Sequence, residues 1–371
     1  MKQALKFSIA VLRNNTVTAI AFVLALITSF IVPPDDKYRD YFDFKTLSCL
    51  FCTLAVVCAL RNVRFFYTLA RKIVRLFKSA RMSVLGIVYI TFIGSMLLAN
   101  DMALLTFLPL GFFVLHTTGK QKYMAFTFIM QNIAANLGGM LTPFGNPQNL
   151  YLYSKFNIPD AEFVKIMFPP FALAVFLITL SCIVFVKPEP LSLEEDGYNT
   201  PWGKVSFYLV LFALAISIVF GVVHYLIGVA VIFTALLITD RRALLNVDYG
   251  LLLTFTFFFI FSGNMARIGA VRDFFSMLLE KNTLVFSALS CQFISNVPSA
   301  ILLSQFTDNY KDLLLGVNIG GTGTLIASLA SLITFRSYTM HNPGKAGSYI
   351  IKFSLFNFAF LGILLAFCVF V

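Results

Sequence analysis

Four short polar patches interrupt long apolar stretches, and their residue types suit the binding of ions and small solutes rather than bond-making chemistry. Asn100 and Asp101 stand in the middle of Met82–Leu115, 34 residues that are otherwise almost wholly apolar. Ser295, Asn296, Val297 and Pro298 stand at the centre of Thr283–Thr307. The third patch runs from Asn136 through Gly138, Gly139, Thr142, Pro143, Gly145 and Asn146 to Asn149, and the fourth from Asn318 through Gly320, Gly321, Thr322, Gly323 and Thr324 to Ser328. Glycine lets a ligand come close to the backbone. Asn, Ser and Thr supply neutral donors and acceptors without the cost of a buried charge. A helix broken inside a membrane exposes N–H ends that favour anions and carbonyl ends that favour cations. These patches, with Thr106 beside the first, predict a site for a small anion and a coupling cation. A Na⁺ ion is expected near Asn100, Asp101, Asn136, Asn296 and Asn318, and no resident cofactor is expected.

Asp101 is the one acidic residue inside these four segments. A charge at that depth is costly unless paired or protonated, so it is read as a proton or cation site. The competing reading is a neutral aspartate that caps the helix after the tip. Asn100 and Asn296, at matching tips, are read as site contacts against the same alternative. His224 lies between two spans and reads as interfacial.

The elements that would hold these residues are membrane helices. The chain has 371 residues, 59% hydrophobic and 12% charged, with a mean hydropathy of +0.85. Soluble domains carry about 25% charged residues. The net charge of +11 sits in short loops, where it orients a membrane protein, so nucleic-acid binding is not expected. The Cys49 and Cys52 pair has no histidine or carboxylate near it in sequence and reads as packing. An intramembrane enzyme is disfavoured, because no HExxH, no paired intramembrane Asp and no Ser/His arrangement is present. A channel is less expected than a carrier.

Apolar lengths predict an all-α polytopic protein of about nine transmembrane helices plus two re-entrant helical hairpins and two broken helices. The first half, 1–186, would hold spans 16–32 and 44–60, an amphipathic surface helix over 62–80, a hairpin over 82–115, a broken helix over 123–153 and a span over 164–186. A cytoplasmic linker, 187–204, would follow. The second half, 205–371, would hold spans 205–222, 225–239 and 247–261, a surface helix over 265–281, a hairpin over 283–307, a broken helix over 311–335 and a last span over 349–371. Basic residues from Arg61 to Arg81, and Lys2, Lys6 and Arg13, place that stretch and the N-terminus in the cytoplasm, which leaves the C-terminus outside. The first hairpin then enters from inside and the second from outside. Asn136, Gly138, Gly139 and Thr142 fall on Asn318, Gly320, Gly321 and Thr324 at a constant offset of 182 residues. The halves therefore read as inverted repeats, with the site between them.

On these motifs the chain resembles the ion transporter superfamily, which includes arsenite permeases, D-type sodium/proton antiporters and divalent anion:sodium symporters. The resemblance covers nearly the whole chain. The run Leu97–Leu110 resembles the arsenite-permease hairpin tip; Asn136–Asn149, Ser295–Pro298 and Asn318–Ser331 resemble the group's first broken helix, second hairpin tip and second broken helix. The tips depart from the Ser-Asn-Thr of dicarboxylate symporters. The resemblance implies an elevator mechanism in the cytoplasmic membrane, with a mobile domain, a homodimeric scaffold and the surface helices as arms. The function expected is Na⁺- or H⁺-coupled movement of a small anion or oxyanion. Arsenite or antimonite efflux and Na⁺/H⁺ exchange remain as alternatives.

Overall fold

The computed structural model describes residues 16–66, 68, 77–190 and 201–370. Sixteen helices follow in order among them: α1 Thr16–Ile31, α2 Phe44–Asn62, α3 Ala80–Leu97, α4 Asn100–Thr117, α5 Met124–Gly138, α6 Pro147–Lys155, α7 Asp160–Phe185, α8 Trp202–Val219, α9 Tyr225–Thr239, α10 Arg241–Leu245, α11 Tyr249–Arg267, α12 Gly269–Ile294, α13 Asn296–Leu303, α14 Tyr310–Ile319, α15 Leu329–His341 and α16 Ala346–Phe370. Seven of them are long and apolar enough to cross a membrane: α2, α3, α4, α7, α8, α11 and α16; α1 and α9 are shorter apolar helices. This is an all-helical, multi-span membrane protein.

Local chemistry sets the ends. Asp43, Ser79, Asp248 and Asn309 accept backbone N–H groups at the starts of α2, α3, α11 and α14, satisfying donors that the first turn leaves open. Pro147 opens α6, where its missing N–H costs nothing. Within α12, Asn282 has extended backbone and accepts the Val285 N–H at 2.9 Å. It therefore caps a new helix and separates a connector, 269–281, from the first arm of the second hairpin.

Packing divides the described helices into two groups. In one, α2 packs on α8, α9 and α10, and α11 packs on α1 and α2. In the other, α3 and α4 pack on α5, α12 packs on α13 and α14, and α16 packs on α5 and α7. The second group interleaves the two sequence halves: α15 packs on α4 and α5, and α13 on α6. The groups meet where α11 touches α12 and α13, and where α2 touches α6. Outward faces stay apolar, as lipid contact requires; Phe30, Phe176 and Ile238 are exposed.

Several boundaries differ from those read off the sequence. The third span of the second half runs on to Arg267, which pairs with Asp35 at 2.7 Å, so the connector starts at Gly269 rather than at 265. The second broken helix continues to His341 rather than 335. Arms α3 and α4 are 18 residues each, about 27 Å, whereas the second hairpin's arms, 283–294 and α13, are much shorter. By length and composition each arm of the first pair could cross a membrane completely. Of the surface helix expected over 62–80, residues 67 and 69–76 lie outside the described residues, as do 191–200 of the linker and the basic N-terminus.

The linker's first residues are held tightly. The Glu189 carboxylate accepts from Lys120 Nζ at 2.8 Å, Lys122 Nζ at 2.5 Å and Tyr123 Oη at 2.9 Å, and its carbonyl accepts the Ala80 N–H at 2.7 Å. Hydrogen bonds from Lys120, then Lys122 and Tyr123, hold the carboxyl down to about 2 from its ordinary 4.5. A depressed carboxyl stabilises the fold above its unfolded value and loses that contribution as pH falls through the folded value. Glu189→Gln should therefore lower the unfolding temperature at about pH 7, and the gap to wild type should close progressively below about pH 4.5. Thermal unfolding in detergent at several pH values reads this; a gap that stays constant on acidification would refute it.

Candidate functional site

The two hairpin tips and both helix breaks meet in one polar hub. The α3–α4 turn ends at Asn100, whose Nδ2 donates to Asn136 Oδ1 at 3.0 Å. Ser328 Oγ, at the start of α15, donates to the same oxygen at 2.8 Å. Asn136 lies two residues before α5 ends at Gly138. One side-chain oxygen thus joins the first tip, the first break and the second break. A Cβ placed on Gly321 would lie 3.1 Å from Asn296 Nδ2 and 3.7 Å from Asn136 Oδ1, so the second tip closes on the same point.

Amide side chains tie the breaks together. Asn146 Nδ2 donates to the Asn136 carbonyl and to Asn318 Oδ1, both at 3.2 Å. Gln148 Nε2 donates to Asn318 Oδ1 at 3.3 Å, and Asn318 Nδ2 donates to Asn149 Oδ1 at 2.6 Å. Asn149 Nδ2 reaches the carbonyls of Gly139, Met140 and Thr142 at 3.2 Å each. Carbonyls freed by a break cannot be left bare in a membrane, and this one amide serves three. In the second break Gln292 does the same work: its Nε2 donates to the Gly320 and Thr322 carbonyls at 2.9 and 3.1 Å, and its Oε1 accepts the Thr324 N–H at 2.9 Å.

The breaks keep the sequence register. Second arms α6 and α15 start at Pro147 and Leu329, 182 residues apart, the same offset as Asn136 and Asn318. Both tips also repeat one detail: Asn100 Oδ1 accepts the Asp101 N–H at 3.0 Å and Asn296 Oδ1 the Val297 N–H at 2.9 Å. Ser295 adopts φ +74°, a region that costs a non-glycine residue about 1–3 kcal/mol. Bonds from Ser295 Oγ and the Asn296 N–H to the Ala327 carbonyl, at 3.3 and 2.9 Å, hold it there.

A cavity of about 20 Å³ lies within the hub, lined by Asn100, Asp101, Pro147, Gln148, Ser295–Pro298, Ser328 and Leu329, and closed by Val17, Leu251 and Thr254 of the other helix group. One water needs about 10–15 Å³ by this measure, so the space fits one such particle. The starts of α4, α6, α13 and α15 all abut it. Each helix start carries roughly half a positive charge. Asp101 Oδ1 and Gln148 Oε1 are buried and accept no hydrogen bond among the described residues. The capping role considered for Asp101 is not found: the cap position of α4 is Ala99, and no side chain caps it.

Most predicted contacts therefore come together, but not all. Thr106 lies outside the hub: its hydroxyl bonds the Met102 carbonyl of its own helix at 2.8 Å, and it lines a separate cavity with Arg61, Arg64 and Pro109. Six residues of helix carry it about 9 Å from Asn100. Thr142 bonds the Met96 carbonyl at 2.7 Å and Thr322 the Ile319 carbonyl at 2.6 Å, so these two hydroxyls brace the breaks. Pro143 and Gly145 belong to the loop between α5 and α6, and Gly323 supplies a turn at φ +123°. His224 sits apart at the start of α9. The cysteines are free, and Cys49 and Cys52 are buried in α2, away from the hub. Sequence reasoning missed Gln292, whose only signal was a polar residue four places before Asn296, and the Thr18–Thr254 pair, hydroxyls 2.8 Å apart, beside the cavity.

Many membrane helices, two broken helices and an enclosed polar hub define a membrane transporter. The comparisons agree in kind. The citrate transporter family model matches residues 6–310, and the chain belongs to that family. It is 34% identical over 295 residues to an uncharacterized transporter of Methanocaldococcus jannaschii, covering 79% of this chain and 81% of that one. It is 30% identical to the inner membrane protein YbiR of Escherichia coli, over 83% and 84% of the two chains. A silicon efflux transporter of Oryza sativa is 26% identical over 49% of this chain and 38% of its own.

Proposed function

We propose that this chain is a secondary carrier that moves a small anion or oxyanion across the cytoplasmic membrane, coupled to Na⁺ or H⁺. The observation that carries this reading is the convergence of four helix starts on one small cavity lined also by Asp101, whose Oδ1 accepts no hydrogen bond among the described residues. The N–H ends favour an anion. Asp101 Oδ1 and Gln148 Oε1 offer a cation two oxygens that take no hydrogen bond among the described residues. Anion and cation then neutralise one another in a low-dielectric setting, where either alone would be costly. An inverted-repeat, elevator-type movement fits the division of helices into two groups, with α3–α7 and α12–α16 travelling along α1, α2 and α8–α11, and with a homodimeric scaffold. The family's name makes citrate a candidate, but a citrate-sized anion would need the tips to part first.

The test is uptake by purified protein in liposomes, screened with citrate, phosphate, sulfate, arsenite and silicate under imposed Na⁺ or H⁺ gradients. Gradient-dependent uptake of one anion is expected. Asp101→Asn should then abolish coupling to the cation while the anion still binds. Full coupled uptake by that variant would remove Asp101 from the reading.

A second reading, efflux of a small hydroxylated metalloid, rests on the likeness to the silicon efflux transporter and on the arsenite-permease form of the first tip. A preference for uncharged silicate or arsenite over every anion in the same screen would favour it.

A further inference from the structure

A second cavity is far larger than the hub's. It measures about 710 Å³ and opens at the opposite end of α11: Thr254 faces the hub, and Gly263, Ala266 and Arg267 face this vestibule. Nine residues of helix, about 13 Å, separate Thr254 from Gly263. The vestibule's other walls are the Lys37–Lys45 turn, the end of α6 and Gln305 after the second hairpin. On α6 the two spaces share a face: Gln148 lines the hub, and Tyr151 and Lys155, three and seven residues on, line the vestibule. Residues so spaced lie on one side of a helix. Between them Tyr151 Oη bonds Ser304 Oγ at 3.0 Å and accepts from Gln305 Nε2 at 3.4 Å.

Charge in the vestibule is unevenly committed. Arg267 is taken by Asp35 in a two-pronged pair at 2.7 and 3.0 Å. The Asp43 carboxylate caps α2, accepting from Thr46 N and Oγ1 at 2.9 and 2.6 Å. Lys45 and Lys155 are half-buried and have no carboxylate within 4.0 Å among the described residues; Lys155 Nζ lies 5.9 Å from the Tyr151 ring centre. Lys37 and Asp40 complete the lining, both exposed. Two half-buried ammonium groups with no ion-pair contact among the described residues, and only the longer-range fields of Asp43 and Asp308 on Lys155, in a space large enough for a hydrated polyvalent anion, call for an anion.

We infer that the vestibule is a second anion-binding site, with Lys155 and Lys45 as its cationic ligands and a small carboxylate or oxyanion as its occupant, from which solute passes along α6 behind the Tyr151–Ser304–Gln305 contact to the hub. The inference rests on the proposed anion transport for its purpose but not for its geometry. Water softens each charge contact here, so the site concentrates anions weakly and steers them by field, which salt suppresses.

The probe is citrate, titrated into the full-length protein in detergent with its lysines ¹³C-dimethylated, which keeps their charge. The Lys155 resonance is assigned by its loss in Lys155→Gln. A saturable shift with citrate, absent with chloride at equal ionic strength, is expected. Lys45→Gln should weaken the response about fivefold, the size of one partly exposed charge contact, and Asn296→Ala should leave it intact. A shift shared with chloride, or one lost in Asn296→Ala, would overturn the site, the latter because Lys155 would only be sensing the hub. A saturable Lys155 response in a protein that moves no anion in liposomes would uphold the vestibule and sink the transport reading instead.

Discussion

Asn136→Ala is expected to reduce solute uptake by the reconstituted protein about 100-fold while leaving a folded, purifiable chain. Asn136 Oδ1 is the common acceptor for Asn100 and Ser328. Its removal leaves two buried donors without a partner, at about 1–3 kcal/mol each, and 2.7 kcal/mol corresponds to about a hundredfold change in an equilibrium constant. Within membranes the bonds themselves average only about 0.6 kcal/mol, so the helices should stay packed while the hub loses its geometry. Thr106→Val is the matched control. Thr106 bonds only its own helix, and uptake should stay within about twofold of wild type. Liposome uptake and thermal unfolding, measured on both variants, decide the matter. Equal activities would show that the tip-to-break bond is dispensable.

Gly323→Ala should be among the most damaging single-methyl changes in the chain. Its φ of +123° is closed to residues with a Cβ, at about 1–3 kcal/mol. The added methyl would also meet the Gln292 amide, which holds the Gly320 and Thr322 carbonyls and the Thr324 N–H. Displacing it orphans several backbone groups, each at about 1–3 kcal/mol. The comparison is Gly269→Ala, where a methyl would enter open space at an ordinary φ; a change within about 0.5 kcal/mol is expected there. Unfolding temperature in detergent reads both, and similar values for the two variants would contradict the account of Gln292 as the brace of the second break.

The breaks and tips were legible because Gly, Pro and Asn in the middle of an apolar run have little reason to be there unless the backbone is interrupted and sheltered. The 182-residue offset, visible between Asn136 and Asn318, reappears in the helix starts Pro147 and Leu329. Depth was less legible. Apolar length says how far a helix can reach but not where it turns, so α3 and α4 came out long enough to cross. Met265–Lys281 kept a helical rhythm across the break at Ile268, and nothing local revealed that Arg267 would be drawn back to Asp35. Gln292 gave no local sign of its role, since its partners in the second break lie 28–32 residues away in sequence. Thr106 was included for nearness along the chain, but six residues of helix are enough to leave a site.

The crossing bond between Asn149 and Asn318, at 2.6 Å, bears on biosynthesis. When the first broken helix leaves the ribosome, its amide partner has yet to be translated, with 168 residues between the two still to come. Until then the nascent chain must sit in the bilayer with Asn146, Gln148 and Asn149 missing their cross-half ties, a state that exposed polar groups make costly and that quality-control proteases can recognise. Maturation should accordingly be late and all-or-none, and an N-terminal fragment ending before residue 310 should be degraded rather than accumulate as a half-transporter.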